Sequence, residues 1–495
     1  MTTFLIGLVI LIVGGALYGT FVERIFKPDD RQTPAVAMQD GVDYVPMNKW
    51  KNSLINLLNI AGTGPIFGPI QGILFGPVAF ITIPIGCVIA GATHDYFSGM
   101  ISLRQNGVQM PGIINKFLGN KVYQVYNIFL CVLMLLVGAV FTYTPGDLFA
   151  NQICGFTDVN IWTWVIYAVI LGYYLIATLF PIDKIIGKIY PFFGAILLLS
   201  AVGVFFGIFF KGYQLDNIDF DHGFSGIFNI YPVFDAEGNS GAGTNFIPVF
   251  FVTVACGILS GFHSTQCTLI GRSVTHEKEG KITFYGMMIL EGLIAMIWAA
   301  AAMGLYNNGS TAGTTATVGE VAKDLLGPVG GIIAILGIIV LPITSGDTAL
   351  RSCRLMIADY LHIDQKNASK RVALTLCMFV PVIAILVFAK INAEGFNILW
   401  RYFAWSNQTI AVFALAAITV YLIAKKGAAK AAYLVALIPG TFYMFIITSF
   451  ILSQKIGFNL SYTASYIIAA VLTVLYFFGV RALGKKYVKV NGQEE

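Results

Sequence analysis

The sequence predicts an all-α integral membrane protein of about thirteen transmembrane helices, most of them forming two five-helix repeats of opposite orientation, each opened by a broken helix. Three observations predict it. The balance of 57% hydrophobic to 11% charged residues over 495 positions is too apolar for a soluble chain of this size. Lysine and arginine gather in alternate connections between the apolar runs. Two of those runs contain glycine and proline at a density that a continuous helix does not tolerate.

At about 20 apolar residues per span, helices are expected near 4–22, 53–72, 76–101, 124–149, 161–180, 187–210, 246–270, 282–305, 329–357, 371–390, 397–424, 431–452 and 461–481. The first run has no basic stretch before it and no small-residue cleavage site after it, so it reads as a retained helix rather than a signal peptide. One set of connections carries Arg24, Lys27, Arg31, Lys49, Lys51, then Arg104, Lys116, Lys121, and so on to Arg481 and Lys489, whereas the opposite set carries only Lys211, Lys323, Lys390 and Lys455. That alternation places the N-terminus outside and the C-terminus inside. The organisation expected is an extra helix and inner loop (1–50), a first repeat (51–210), an acidic outer loop (211–245), a second repeat (246–424) and two further helices with a tail (425–495). The seven cysteines are isolated, with no CxxC pair, so neither a disulfide framework nor a zinc site is expected. The net charge of +5 follows from the basic inner loops and does not point to nucleic acid.

Residues 59–77 read NIAGTGPIFGPIQGILFGP, with Gly62, Gly64, Pro65, Gly68 and Pro69 crowded into the first half. Broken backbone at bilayer depth persists only where protein surrounds it or it lines a wet cavity. The run 246–272 carries Gly257 and Gly261 in mid-span, followed by Phe262, His263 and Ser264. An isolated glycine pair also fits close helix packing, but this run starts on the opposite side from 53–72, with four helices between the two. Matched breaks in oppositely oriented halves are the pattern of an inverted-repeat transporter whose half-helix ends meet at a midplane site.

The blocks GVDYVP (41–46), IAGTGPIFGPI (60–70), AGATHDYFSGMISLRQNG (90–107), VACGILSGFHS (254–264), TSGDTALRSCR (344–354) and LWRYFAWSNQTIA (399–411) together resemble the carbon starvation protein A family. The resemblance implies a bacterial inner-membrane transporter of the amino acid, polyamine and organocation superfamily, with a fold similar to the leucine-transporter type. It also implies uptake of peptides or pyruvate during nutrient limitation, with proton coupling for pyruvate. The chain departs from the family pattern at Asn56, where a histidine is expected.

For a substrate bearing a carboxylate, backbone N–H groups at the half-helix ends, from Thr63 to Phe67 and from Ser260 to Phe262, are expected to bind the anion. Gly62 and Gly64 allow close approach of the ligand and Pro65 leaves the helix without an amide, while Gly261 joins the expected substrate-binding set, as do Asn407 and Gln408, buried amides needing partners. His263, Glu291 and Asp347 are the expected proton-coupling residues, because intramembrane ionisable groups are functional by default and histidine titrates near neutral pH. Each has a plainer alternative: a neutral imidazole bonded to a carbonyl, a structural carboxyl hydrogen bond, and neutralisation of Asp347 by Arg351. His94 and Asp95 read as an inner gate or a loop-proximal salt bridge. The resemblance further implies an ion site built from Thr344, Ser345 and a carbonyl near Ala61, which makes Na+ the alternative to H+ as coupling ion.

No cofactor and no firm metal site are expected, and the partners are a small-molecule substrate and the lipid bilayer; homo-oligomer or sensor-kinase contacts leave no sequence mark. The leading expectation is a secondary active transporter for a small carboxylate-bearing nutrient, coupled to protons, in a bacterial cytoplasmic membrane. A sodium-coupled amino acid or peptide symporter is the nearest alternative, and a membrane nutrient sensor or an intramembrane hydrolase belongs to another class. No Walker motif supports ATP-driven transport, and neither HExxH nor a paired aspartate supports hydrolysis, so no enzyme is expected.

Overall fold

The computed structural model describes residues 1–40, 44–179, 183–218, 246–363 and 367–494; most of the acidic outer loop expected at 211–245 lies outside these. The described chain is helical almost throughout. Nine helices among the described residues are long and apolar enough to cross a membrane. They are α1 (Thr2–Phe26), α4 (Ala79–Arg104), α5 (Asn120–Ile153), α11 (Glu277–Asn307), α12 (Thr314–Tyr360), α13 (Ala368–Ile391), α14 (Gly395–Ala424), α15 (Leu434–Ser453) and α16 (Tyr462–Asn491). The rest are shorter or interrupted: α2 (Lys49–Ala61) with α3 (Gly64–Gly72), α6 (Ile161–Leu179), α7 (Asp183–Phe210), and the series α8 (Phe246–Thr253), α9 (Ala255–Ile258) and α10 (Gly261–Ile270). An amphipathic helix that the hydropathy reading passed over, Met110–Leu118, links α4 to α5.

Packing separates two bodies. The helices α5, α6, α12 and α13 pack on one another, and so do α2, α3, α4, α10 and α11. α14 touches both, and 89% of its most apolar stretch is buried against 17% for α16, which puts α14 at the centre and α16 at the lipid-facing edge. Among the described residues, four spans carry a single π-helical turn, at Ile10–Gly14, Cys87–Gly91, Phe149–Ile153 and Lys281–Gly286.

Both expected breaks are present. α2 stops because Gly62 adopts φ 34°, ψ −132°, a conformation costly for any residue with a Cβ, and the Phe141 ring lies 3.2 Å from where that Cβ would sit. Pro65 then falls in the first turn of α3, where its missing N–H costs nothing. In the second break the chain is extended at Leu259 (φ −157°) and Ser260 (φ −127°), between the two glycines rather than at either. Gly261 is required for approach instead: a Cβ there would lie 2.5 Å from the Asn407 carbonyl oxygen and 2.6 Å from the Ala411 nitrogen, so α10 starts against the bare backbone of α14.

At the end carrying the basic loops, Arg104 makes a two-pronged ion pair with Glu277 at 2.9 Å on each arm, donates to the Lys27 carbonyl and lies 4.2 Å from the centre of the Phe26 ring. This joins the ends of α1, α4 and α11. Nearby, the hydrogen bond from the Arg31 side chain holds the Asp29 carboxyl well below the usual carboxylate range.

Gly261→Ala is expected to cost about 1–3 kcal/mol of stability because backbone on both sides cannot give way. Gly172, with nothing within 4 Å, serves as the control. Thermal unfolding in detergent checks this: Gly261→Ala unfolds at a lower temperature and Gly172→Ala does not.

Candidate functional site

The two breaks lie against each other. The position of a Cβ on Gly64 is 2.5 Å from the Cys256 Cβ, and Gly68 meets the Thr253 carbonyl at 3.2 Å, so the start of α3 crosses α8 and α9 at contact distance. Across the first break, Ile66 N and Phe67 N both donate to the Thr63 carbonyl, at 3.2 and 3.1 Å. Thr63 itself is fully buried, and its hydroxyl has no protein partner.

The second break is held from α14. Asn407 Oδ1 accepts from Ser260 Oγ at 2.9 Å and from Phe262 N at 3.2 Å, while its Nδ2 donates to the Phe403 carbonyl. The side chain thus caps α10, and the Phe262 amide that the sequence offers to a substrate is bonded to Asn407 in this conformation. Gln408 Nε2 donates to the Phe251 carbonyl at 2.6 Å, and its Oε1, buried, has no protein partner.

Immediately beyond this break stands a chain of four buried ionisable groups. His94 Nδ1 is 2.8 Å from Asp95 Oδ1, His263 Nδ1 is 3.0 Å from Asp95 Oδ2, and His263 Nε2 is 3.5 Å from Glu291 Oε2, with every side chain 2% exposed or less. An ionised carboxylate only accepts, so both imidazoles present Nδ1–H to Asp95, which fixes the His263 ring and aims Nε2 at Glu291. α4, α10 and α11 each supply a member. His263 and Glu291, both expected from the sequence, are brought together. Asp95 and His94 require a correction: they are wholly buried rather than loop-proximal, because nine residues of helix place Asp95 about 14 Å from the α4 end at Arg104.

Asp347, the third proton-coupling candidate, stands apart on α12, where Tyr173 donates to it at 2.7 Å and Thr348 at 3.0 Å, while Arg351 donates to the Ala177 carbonyl. Of the ion-site candidates, Ala61 is the buried last residue of α2 and Ser345 is buried with a hydroxyl that has no protein partner; the Thr344 side chain lies outside the described residues. No group of three or more His, Cys, Asp or Glu side chains among the described residues is arranged to hold a metal ion.

Asp147 escaped the sequence reading altogether. Its carboxylate accepts from Tyr167 at 2.9 Å, from Thr315 at 3.2 Å and from Lys390, so that one side chain on α5 ties the ends of α6, α12 and α13 to its own helix. The only available signal was that Lys390 is one of few lysines on its side of the membrane.

A family model described as carbon starvation protein CstA matches residues 1–222, 226–327 and 311–450. A membrane protein of Haemophilus influenzae is 41% identical over 62% of this chain and 92% of its own length. The peptide transporter CstA of Bacillus subtilis is 25% identical over 83% of each chain, and that of Mycobacterium tuberculosis is 26% identical over 87% of this chain and 71% of its own. Among solved structures, the Eremococcus coleocola manganese transporter aligns with TM-score 0.55 at 10% identity, covering 92% of this chain and 98% of that one. Mhp1, a nucleobase-cation-symport-1 family transporter, aligns with TM-score 0.51 at 12% identity, covering 90% and 96%. These likenesses establish the fold, the broken-helix inverted-repeat type anticipated from the sequence.

Asp147→Leu is expected to cost about 3–5 kcal/mol, because it leaves the largely buried Lys390 ammonium without its carboxylate. The double substitution Asp147→Leu with Lys390→Met should recover most of that loss, and a double-mutant cycle on thermal stability measures the coupling.

Proposed function

Because the chain belongs to the carbon starvation protein CstA family, several of whose relatives are named peptide transporters, it is a membrane transporter, and we propose that it imports a small carboxylate-bearing nutrient, a short peptide or pyruvate, together with protons running down their gradient into the cell. The observation that carries the proton reading is His263, set between Asp95 and Glu291 next to the second helix break.

The His263–Glu291 pair holds one proton in either of two ways, as imidazole with carboxylic acid or as imidazolium with carboxylate. With Asp95 ionised, both arrangements leave the cluster with one net negative charge. A second proton gives imidazolium, carboxylic acid and the Asp95 carboxylate, which together are neutral. Net charge in a buried site is costly. Rearrangement of the body formed by α2, α3, α4, α10 and α11 is therefore favoured when the cluster is fully protonated, and the substrate's own negative charge at the half-helix ends adds to the demand for that proton. The orientation that goes with this reading places the basic-loop end in the cytoplasm, the membrane being the cytoplasmic one.

A sodium ion between the Ala61 carbonyl and the Thr344–Ser345 segment of α12 is the second reading; it draws support from the Ser345 hydroxyl, buried without a protein partner.

In proteoliposomes, wild-type protein is expected to accumulate labelled substrate under an imposed inward proton gradient and to exchange it in counterflow. His263→Gln and Glu291→Gln should lose accumulation to background and keep counterflow, which needs no net proton movement. Accumulation driven by a sodium gradient at equal pH would favour the second reading, and substrate binding with no counterflow in the wild type would instead mark a sensor.

A further inference from the structure

We propose that Gln71 is a specificity-determining residue that pairs with an amide group of the bound substrate; the proposal rests on the transporter reading above. Gln71 is fully buried in α3, yet neither its Nε2 nor its Oε1 has a protein partner. An amide buried in that state forfeits the hydrogen bonds it would make to water, at both its donor and its acceptor end. The neighbouring amides on α14 are treated differently, with Asn407 bonded at both ends and Gln408 at one. A side chain able to donate and accept in parallel matches one kind of group best, another amide.

Its position says where that group lies. Thr63, Phe67 and Gln71 follow one another at intervals of four along α3, so they form one stripe that begins at the break. The adjacent stripe, Gly64, Gly68 and Gly72, is filled by Cys256, Thr253 and Val254 of the second broken helix. The Phe67 stripe turns elsewhere: its ring lies 6.1 Å from those of both Phe396 and Trp400, and Phe396 stacks on Tyr143 at 4.9 Å. The stripe therefore presents an unpartnered hydroxyl at the break, an aromatic wall, and an unpartnered amide at its far end.

Its length selects among ligands. Eight residues of helix rise about 12 Å, and an extended peptide advances about 3.3–3.6 Å per residue. A substrate whose carboxylate rests at the break near Thr63 reaches Gln71 with a backbone amide if it is three or four residues long, since its farthest amide then lies about 7–11 Å from the carboxylate and the Gln71 side chain tilts back toward the break. A three-carbon keto acid spans only the break end and has no N–H to offer. Gln71 thus favours peptides without bearing on how a bare carboxylate binds.

The test uses the full chain in proteoliposomes, with counterflow of labelled trialanine competed by unlabelled trialanine or by its analogue carrying an ester oxygen in place of the central N–H. The wild type is expected to prefer the amide over the ester by about ten-fold, the scale of one buried hydrogen bond. Gln71→Leu is expected to erase that preference and Gln71→Asn to restore part of it. A merely structural role would lower both competitors alike and leave the ratio unchanged, and that result overturns the proposal. So does a wild type that does not discriminate, or one that exchanges pyruvate but no peptide; in the last case the transporter reading stands and this one falls. A wild type that exchanges neither overturns both.

Discussion

A peptide group that leaves the helical ladder inside a bilayer has no water to turn to, and the arrangement at the centre of this protein follows from that constraint. At Leu259 and Ser260 the chain is extended, and the replacement partner for the amide beyond it is the Asn407 side chain. For Asn407 to reach, α14 must lie against the start of α10 with nothing between them, hence glycine at 261 and the deep burial of α14. At the first break the Thr63 carbonyl takes two amides, and Gly62 absorbs the turn in a conformation that side chains resist. The two breaks then press together through Gly64 and Cys256. Backbone hydrogen bonding and helix packing are thereby solved by the same few residues.

The ionisable groups are distributed unevenly between the two bodies. The chain from His94 to Glu291 lies wholly within the body formed by α2, α3, α4, α10 and α11, and it ties α4, α10 and α11 to one another. In the other body the corresponding knot is Asp147, which binds three neighbouring helices at one end and involves neither break. One body carries a connected chain of four ionisable groups, and the other carries an acid and a lysine that fasten helix ends. On the proton-coupled reading proposed above, the first kind biases a relative movement of the two bodies and the second keeps the frame it moves against rigid.

How much of this was legible in the sequence depended on distance along the chain. The helix breaks were legible because glycine and proline act on their own backbone, and the membrane-spanning helices because a span needs a long apolar run. His263 and Glu291 stood out as ionisable residues in apolar runs, but their common partner did not: Asp95 is 168 positions from His263, and its place near a basic residue read as a surface ion pair. The Lys390–Asp147 contact, 243 positions apart, had no mark at Asp147, and at Lys390 only the scarcity of lysines on its side. Asn407 was recognised as an amide in need of partners, yet which partners, the Ser260 hydroxyl and the Phe262 amide, is set by tertiary packing alone. The Met110–Leu118 helix was missed because it lies between spans and is too short and too amphipathic for a hydropathy search tuned to bilayer-length runs.

The π-helical turns at Cys87–Gly91 and Lys281–Gly286 precede Asp95 and Glu291 by only a few residues. Each such turn accommodates one residue more than an α-helical turn would, and one residue is about 100° of rotation about the helix axis. Had either segment continued as an ordinary α-helix, everything downstream would point about a quarter-turn away, and the carboxylate would face a neighbouring helix instead of the His263 ring. The alignment of the ionisable chain is therefore written in residue number as well as residue type. A single insertion or deletion in those turns, silent in composition and hydropathy, changes which way the acids look.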